Sequence, residues 1–443
     1  MQILLIGKGA REHALAWKLS QSQNVRQLYV WPGNPAMDNC GVAFPLSTEA
    51  THEAVAKKAM DLGIDLTVCG PEVPLAQGLA DIFARHGLRF FGPCKEAARL
   101  ESSKSFAKDL MKCAGIPTAE SVLTHSVEHC LEVAGNFLSR DDKVVLKADG
   151  LAAGKGVIIC DSENVLRQAV EHYFPSDSEQ GAVPVLVERF LSGRECSWFA
   201  LLGSGEPLEL GFAVDFKRVS DGDQGPNTGG MGSYTPVPWL PGDASDQIQV
   251  RILNPLMKEL AARKIQYTGF LYVGLIWTQD GPHVIEYNVR LGDPEAQVLA
   301  VQDSRDWVDL MLAQCGSEPS KACLQQPDSS LRTVGIVMTS PSYPDPEPST
   351  LEGQSLPVFR KIETDKWNKL NVQVFAASVR ETPEGLAPGA GRVLTVVARG
   401  KDFDDARLKA LQCCEEIKKD WPQAKWRTDI GLRASLEERS ACV

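Results

Sequence analysis

The sequence predicts a multidomain chain of mixed class, α/β at its start and α+β toward its end. Three observations carry that reading. The first hundred residues alternate short apolar runs with amphipathic helical stretches, the rhythm of a parallel sheet covered on both faces. Two β-type runs, 144–146 and 157–159, enclose a loop of small residues. After about residue 325 the pattern changes to strands followed by one charged amphipathic helix, a smaller α+β unit. A length of 443 residues suits about three domains.

Residues 1–6 run straight into Gly7 without a basic leader, so they read as a first strand rather than a secretory signal. Further strands are expected at 28–31, 66–69 and 89–91, and helices at 14–19, 53–62 and 79–86. Parallel sheets bind ligands beyond the carboxyl ends of their strands. Those ends carry polar or glycine-rich turns here: 7–13, 32–34 and 70–72. The first turn begins like a dinucleotide fingerprint. Glu12 stands where the third glycine belongs, however, and Trp31-Pro32 closes the second strand without an acidic residue. A nicotinamide cofactor therefore fits poorly. Arg11, Glu12 and His13 fit two readings evenly: capping of a helix by solvated charges, or a small polar or phosphorylated substrate.

A helix is expected from Glu101, with Ser102 and Ser103 as cap candidates and a stop at 114–117. Lys104, Lys108 and Lys112 recur on one face, and such a run is usually solvated. Lys104 alone sits in the first turn, within reach of a neighbouring cleft. His125 and His129, with Cys130 beside them, lack a partner pair for zinc, and the two histidines read as exposed helix residues.

The stretch 144–159 organises the chain. Gly150, Gly154 and Gly156 let backbone N–H groups approach a ligand, because no Cβ intervenes. With Lys147 and Lys155 they form an anion cradle suited to a polyphosphate. The spacing is not that of a P-loop, since three residues separate the first two glycines and the exit reads as a strand. Glu188 and Glu195 bracket an apolar edge at Phe190 and Leu191. That set suits an adenosine, one carboxylate toward the base edge and the other toward the ribose, or equally an ordinary strand with exposed glutamates. Residues 225–232, with four glycines, a proline and an asparagine, predict an ordered loop that is neither helix nor strand.

The chemical centre is 283–295. Read as a strand, it puts Glu286, Asn288 and Arg290 on one face and Ile285, Tyr287 and Val289 toward the core. A carboxylate and an amide oxygen about 6–7 Å apart along a strand suit one Mg²⁺, a hard cation that takes oxygen ligands. Arg290 beside them suits developing phosphoryl charge. Strands are also expected at 334–339, 372–377 and 393–398, and a helix at 404–419.

Composition narrows the classes. Apolar content of 43% and charged content of 23% are those of a globular chain. No apolar run approaches the ~20 residues that span a bilayer. A net charge of −11 argues against a broad footprint on nucleic acid. Twelve cysteines without a CxxC pair suit reduced thiols in the cytoplasm.

The strand–glycine loop–strand, the Glu188/Glu195 pair and the Glu286/Asn288 strand together resemble the ATP-grasp superfamily. Longer strings narrow the match: 7–18, 70–72, 92–93, 101–104, 147–157, 225–232, 288–295 and 429–433 resemble the phosphoribosylamine–glycine ligase (glycinamide ribonucleotide synthetase) family over essentially the whole chain. The resemblance implies a Rossmann-like N-terminal substrate domain (1–102), an ATP-grasp core (103–121 and 191–325) with a mobile lid (122–190), and a small C-terminal domain (326–443). It implies ATP-dependent joining of glycine to 5-phosphoribosylamine through a glycyl phosphate, in purine biosynthesis, by a cytoplasmic monomer or weak homodimer.

By the same resemblance, ATP meets Lys104, Lys147, Gly154, Lys155, Gly156, Glu188, Phe190, Leu191 and Glu195. Mg²⁺ or Mn²⁺ sits on Glu286 and Asn288, and Arg290, Asp215 and Lys217 are catalytic. Substrates meet Gly9, Arg11, Glu12, Gly33, Asn34, Pro71 and Glu72 from the first domain. From later in the chain they meet Asn227, Thr228, Gly229, Gly230, Met231, Gly292, Asp293 and Arg433. The sequence departs from the family pattern at Ala10, Trp31, Pro35-Ala36, Arg189 and Phe216. Two other classes share parts of the pattern: another ATP-grasp carboxylate–amine ligase or carboxylase, and a non-catalytic nucleotide sensor. The intact Glu286/Asn288/Arg290 strand argues against the sensor.

Overall fold

The computed structural model describes residues 1–151, 156–174, 184–318, 325, 330–345, 364–383 and 385–441. The first hundred residues form a five-stranded parallel sheet. Its strands are β1 (Gln2–Gly7), β2 (Gln27–Pro32), β3 (Val42–Ala43), β4 (Leu66–Cys69) and β5 (Phe90–Phe91), in the order β3-β2-β1-β4-β5. Strands buried on both faces read as continuous apolar runs, which is why β1 and β4 stand out in the sequence. The expected helices are found at Ala10–Ser20, His52–Asp61 and Leu79–Arg85.

The expectation of a helix opening at Glu101 needs correction. Glu101 lies in a separate short helix, Arg99–Ser102, and Ser103 caps the next one, Lys104–Ala114, by accepting from Phe106 N at 3.2 Å. A Ser at this position satisfies a free N–H of the first turn. Gly115 ends the helix in the left-handed region, at φ 68°.

Next come β6 (Ser121–Thr124), β7 (Val144–Ala148), β8 (Val157–Cys160) and β9 (Val185–Arg189), an antiparallel sheet in the order β6-β9-β7-β8. Helices Val127–Asp141 and Glu163–Tyr173 cover it. Its interior is a hydrophobic core of its own, including Phe137, Leu146, Leu166, Val170 and Val187.

The remaining strands are β10 (Arg194–Leu202), β11 (Leu208–Asp215), β12 (Arg218–Ser220), β13 (Gln224–Asn227), β14 (Gly232–Thr235), β15 (Gly269–Thr278), β16 (Gly281–Asn288), β17 (Arg332–Thr339), β18 (Val372–Ala376), β19 (Val379–Thr382), β20 (Gly385–Pro388) and β21 (Arg392–Gly400). One antiparallel sheet joins eight of them as β16-β15-β10-β11-β14-β17-β21-β18. Three late strands, β17, β21 and β18, therefore extend the central sheet, while β19 and β20 pair as a separate two-stranded sheet. Helix Phe403–Asp420 packs on the first three over Val334, Val396, Phe403 and Cys414. The loop expected at 225–232 is also narrower than the sequence suggests: its start pairs with β12 as β13, and Gly232 begins β14. Among the described residues no helix is long and apolar enough to cross a membrane.

Candidate active site

The site lies where the β6-β9-β7-β8 sheet, the central sheet and the ends of β1 and β4 converge. One side of it, where the sequence places the nucleotide, is built from lysines. Lys147 on β7 is buried and its ammonium lies 2.9 Å from Glu188 Oε2, donating also to Ile285 O at 3.2 Å. Lys104, first residue of its helix, donates to Gly150 O at 2.8 Å. Beside it Ser105 Oγ and N donate to Asp149 at 2.5 and 3.2 Å, docking the start of the glycine loop on that helix. Burial lowers the Lys104 pKa, with Glu286 opposing. Gly156 is buried and its carbonyl accepts from Ala148 N at 3.0 Å. Gly154 and Lys155 lie outside the described residues.

Lys108 overturns the expectation of a solvated lysine face. It is buried, donates to Thr118 Oγ1 at 2.7 Å and Ala119 O at 3.2 Å, and reaches Glu188 Oε1 at 3.2 Å. Each Glu188 oxygen faces an ammonium, although the buried Oε1 accepts no hydrogen bond. Phe190 and Leu191 are half-buried at the end of β9, with Lys143 5.1 Å from the Phe190 ring. Glu195 is exposed at the start of β10.

β16 carries the metal candidates. Glu286 pairs with Gly274 of β15, whose missing side chain leaves room for it, and Asn288 with Tyr272. Burial pushes the Glu286 carboxyl up, but Lys217, Lys147, Lys104 and Arg290 outweigh it and hold the group below its usual range. An ionised carboxylate and a buried amide two residues apart are hard oxygen donors, which fits Mg²⁺ or Mn²⁺ held by few protein ligands. Among the described residues no group of three His, Cys, Asp or Glu side chains could hold a metal. Lys217 lies 3.7 Å from Asp215 and 3.9 Å from Glu195, and Asp215 raises its pKa well above normal. Burial, reinforced by Asp215, pushes the Glu295 carboxyl up to about 7.

β16 ends at Asn288, so Arg290 sits on the following turn rather than on the strand face. Its guanidinium is 2.8 Å from Glu101 and 3.3 Å from Glu72. Glu101 also accepts from Val289 N at 2.8 Å. Glu72 is shared with Arg11, at 3.7 Å, and Arg11 in turn pairs with Glu12 at 2.5 Å and donates to Leu291 O at 3.1 Å. Glu12 accepts from Gly9 N at 2.7 Å, a capping role, but the sequence's alternative of solvated charges is corrected: Arg11, Glu12 and His13 are all buried. Glu12 fits because Gly7 and Gly70 lack side chains: a Cβ on either would collide with it. Pro71 caps the short helix begun by Glu72.

The third wall comes from late in the chain. Arg392 donates to Gly229 O at 2.7 Å, to Asp293 O at 2.6 Å and to Asp293 Oδ2 at 2.9 Å. Gly230 packs against Pro294, where a Cβ would collide. Thr228 Oγ1 donates to Lys217 O at 2.8 Å, Met231 is buried, and Asn227 is exposed on β13. Gly292 packs against the Glu295 carboxylate. Gly33 turns with φ 70°, and Asn34 Nδ2 donates to Lys8 O at 2.7 Å and Ala376 O at 3.1 Å. Arg433 stands apart from this cluster, exposed and 3.2 Å from Glu437.

Family models match in series along this architecture: the phosphoribosylglycinamide synthetase N domain over residues 1–101, its ATP-grasp (A) domain over 102–296 and its C domain over 333–433. This chain belongs to the phosphoribosylglycinamide synthetase family. A phosphoribosylamine–glycine ligase of Mesorhizobium japonicum is 38% identical over 442 residues, covering 100% of both chains. One of Brucella melitensis is 36% identical over 99% of this chain and 100% of its own. The crystal structure of phosphoribosylamine–glycine ligase from Thermotoga maritima aligns with a TM-score of 0.78 at 29% identity, over 97% of this chain and 100% of that one. The biotin carboxylase domain of a Hydrogenobacter thermophilus 2-oxoglutarate carboxylase, solved with MgADP and bicarbonate, shares the fold at TM-score 0.67 and 16% identity, over 94% of this chain and 89% of its own.

Within this family the departures have local explanations. Arg189 pairs with Asp141 at 2.6 Å, tying the end of β9 to its covering helix. Phe216 lies under the buried Arg427, 4.9 Å from the guanidinium, and packs on Tyr234. Trp31 is buried and donates to Ser47 O at 3.1 Å. Ala36 packs against the late core and Ala10 opens the first helix. Sequence reasoning missed three working residues: Lys108, the ionic role of Glu101, and Arg392. Glu101 lies inside a motif string and Lys108 four residues beyond it, and both meet their partners only in the fold. Arg392 has no local signal.

Proposed function

We propose that this protein joins glycine to 5-phosphoribosylamine with ATP, giving glycinamide ribonucleotide, ADP and phosphate. The observation that carries the reading is the convergence of Lys104, Lys147 and Lys217 on the Glu286 carboxylate, with Asn288 beside it on the same strand. Three cations facing one metal-type carboxylate suit a nucleotide triphosphate with its divalent ion, Mg²⁺ or Mn²⁺.

The chemistry follows from the electrophile. A glycine carboxylate repels an attacking amine, so it is first phosphorylated to glycyl phosphate, and the ribosylamine nitrogen then displaces phosphate. Phosphoryl transfer needs positioning and charge neutralisation rather than a side-chain nucleophile. Lys104 and Lys147 hold the phosphates. Glu286 and Asn288 hold the metal ion, which supplies charge neutralisation at the transferred group. Arg290 and Lys217 face the reacting groups, with Asp215 fixing Lys217. Phe190, Leu191 and Glu195 line the adenosine, and the turns at Gly9–Arg11, Gly33–Asn34, Glu72, Gly229–Gly230 and Gly292–Asp293 receive the two substrates. Residues 122–190 act as the lid, excluding water from the acyl phosphate. Its separate hydrophobic core supports movement as a unit. A cytoplasmic monomer or weak homodimer completes the reading.

The test is phosphate release with ATP, Mg²⁺ and glycine, with and without freshly generated phosphoribosylamine. Release that requires both substrates, with glycinamide ribonucleotide formed, is expected. ATP binding without it would leave the fold and reject the substrate assignment.

A further inference from the structure

Glu188 is one buried carboxylate between two buried ammoniums. Lys108 approaches Oε1 at 3.2 Å from the core side, and Lys147 approaches Oε2 at 2.9 Å from the lid side. Lys108 is held in place by Thr118 Oγ1 and Ala119 O, and Thr118 itself donates to Val284 O at 2.7 Å, next to the metal strand's Ile285. Lys147 uses two of its three donors, on Glu188 and Ile285 O. One carboxylate cannot neutralise two lysines, so the triad keeps a net positive charge in a site sheltered from solvent, where charges are weakly screened.

We propose that Lys108 is a positioning residue for nucleotide phosphate: by neutralising Glu188 it leaves the charge of Lys147, and one of its N–H donors, to the polyphosphate. Without Lys108 the full carboxylate charge falls on Lys147, and the pair presents no net charge to ATP. The inference rests on the reading of Lys147 as a phosphate ligand. It makes a prediction that a packing role for Lys108 does not: loss should scale with ligand phosphate charge.

The experiment measures dissociation constants of MgATP and of adenosine by calorimetry on the full chain. Lys108→Met is expected to weaken MgATP roughly tenfold, the effect of one unit charge at about 10 Å in a partly sheltered site, and to leave adenosine unchanged. Lys108→Arg, which keeps the charge, is expected to restore MgATP binding. Equal weakening of both ligands, or unchanged MgATP affinity, overturns the proposal. If Lys108→Met does not fold, Thr118→Val removes the hydroxyl that holds Lys108 and is expected to weaken MgATP alone; no selective loss overturns the proposal. Lys147→Ala separates the two levels. If it leaves MgATP affinity intact, the phosphate reading itself fails; if it weakens MgATP while Lys108→Met does not, only the role of Lys108 fails.

Discussion

Two charged clusters flank β16, and they follow opposite rules. On the nucleotide side two lysines, Lys108 and Lys147, share a single carboxylate, Glu188. On the N-terminal side two arginines, Arg11 and Arg290, face three carboxylates, Glu12, Glu72 and Glu101. The first arrangement keeps cationic charge in reserve for a polyanion. The second has committed its guanidiniums before any ligand arrives, and both also donate to the same carbonyl, Leu291 O. Residue type matches the task. A lysine is a compact point charge on a flexible stem, suited to a ligand that comes and goes, whereas an arginine fork holds several partners in a fixed plane. The lysine side is therefore read as a binding surface, and the arginine side as a preorganised frame joining the first sheet to the central one.

The largest effect is expected where the two clusters meet. Glu286→Ala removes the carboxylate that Lys104, Lys147, Lys217 and Arg290 all face. Loss of metal charge stabilisation is worth several kcal/mol, so turnover should fall roughly 10³-fold or more. A Mg²⁺ titration of phosphate release checks it, and wild-type activity would move the metal elsewhere. Glu101→Gln strips one charge from the arginine frame. Breaking a buried pair on one side costs about 3–5 kcal/mol, so the thermal midpoint should drop and kcat/KM with it, while ATP affinity holds. Weakened ATP binding with an unchanged midpoint would erase the distinction between the clusters. Arg392→Lys keeps the charge but loses the fork that spans Gly229 O and Asp293. A roughly tenfold rise in KM for glycine or the amine is expected, about 1.4 kcal/mol, again without change in ATP affinity. Equal loss for ATP would place Arg392 in the nucleotide site.

The same contrast separates what the sequence discloses from what it conceals. The parallel strands were legible because burial on both faces writes them as apolar runs. The hairpin of β7 and β8 was legible because a stretch of small residues parts two apolar β-type runs. The strand β16 was legible through its period of two, although it ends before Arg290. Ionic partners were not legible. Lys108 carries the i, i+4 signature of a solvated face, and only the fold brings its helix against Glu188 of β9. Glu12 looked like a failed glycine in a dinucleotide loop, and its carboxylate instead fills the gap left by Gly7 and Gly70. Arg392 meets Asp293 across 99 residues. The late strands gave no sign of joining the central sheet, because strand pairing between distant segments leaves no local pattern.

The smallest effect at neutral pH is expected from His13, the uncharged member of the arginine frame. It is buried, stacks edge-on against Phe375 at 5.6 Å, and its Nδ1 accepts from Ala376 N at 2.9 Å, fastening the first helix to β18. Burial pushes its pKa from an ordinary 6.5 down to about 4. The unfolded chain then binds the extra proton first as pH falls, so the stability that neutral His13 contributes is complete above about pH 6.5 and is lost progressively down to about pH 4. The contribution at stake is up to about 3 kcal/mol. His13→Gln keeps an acceptor for Ala376 N but cannot take up the proton, so it should unfold at nearly the wild-type temperature at pH 7.5 and show a shallower decline between pH 6.5 and 4. Charged members of the frame cannot mimic this, because Arg11 and Arg290 keep their charge throughout that range. Parallel pH profiles for the two proteins would mean that the acid sensitivity belongs to Glu72, the carboxylate that Arg290 and Arg11 hold below its usual range, and that the frame is held by its ion pairs alone.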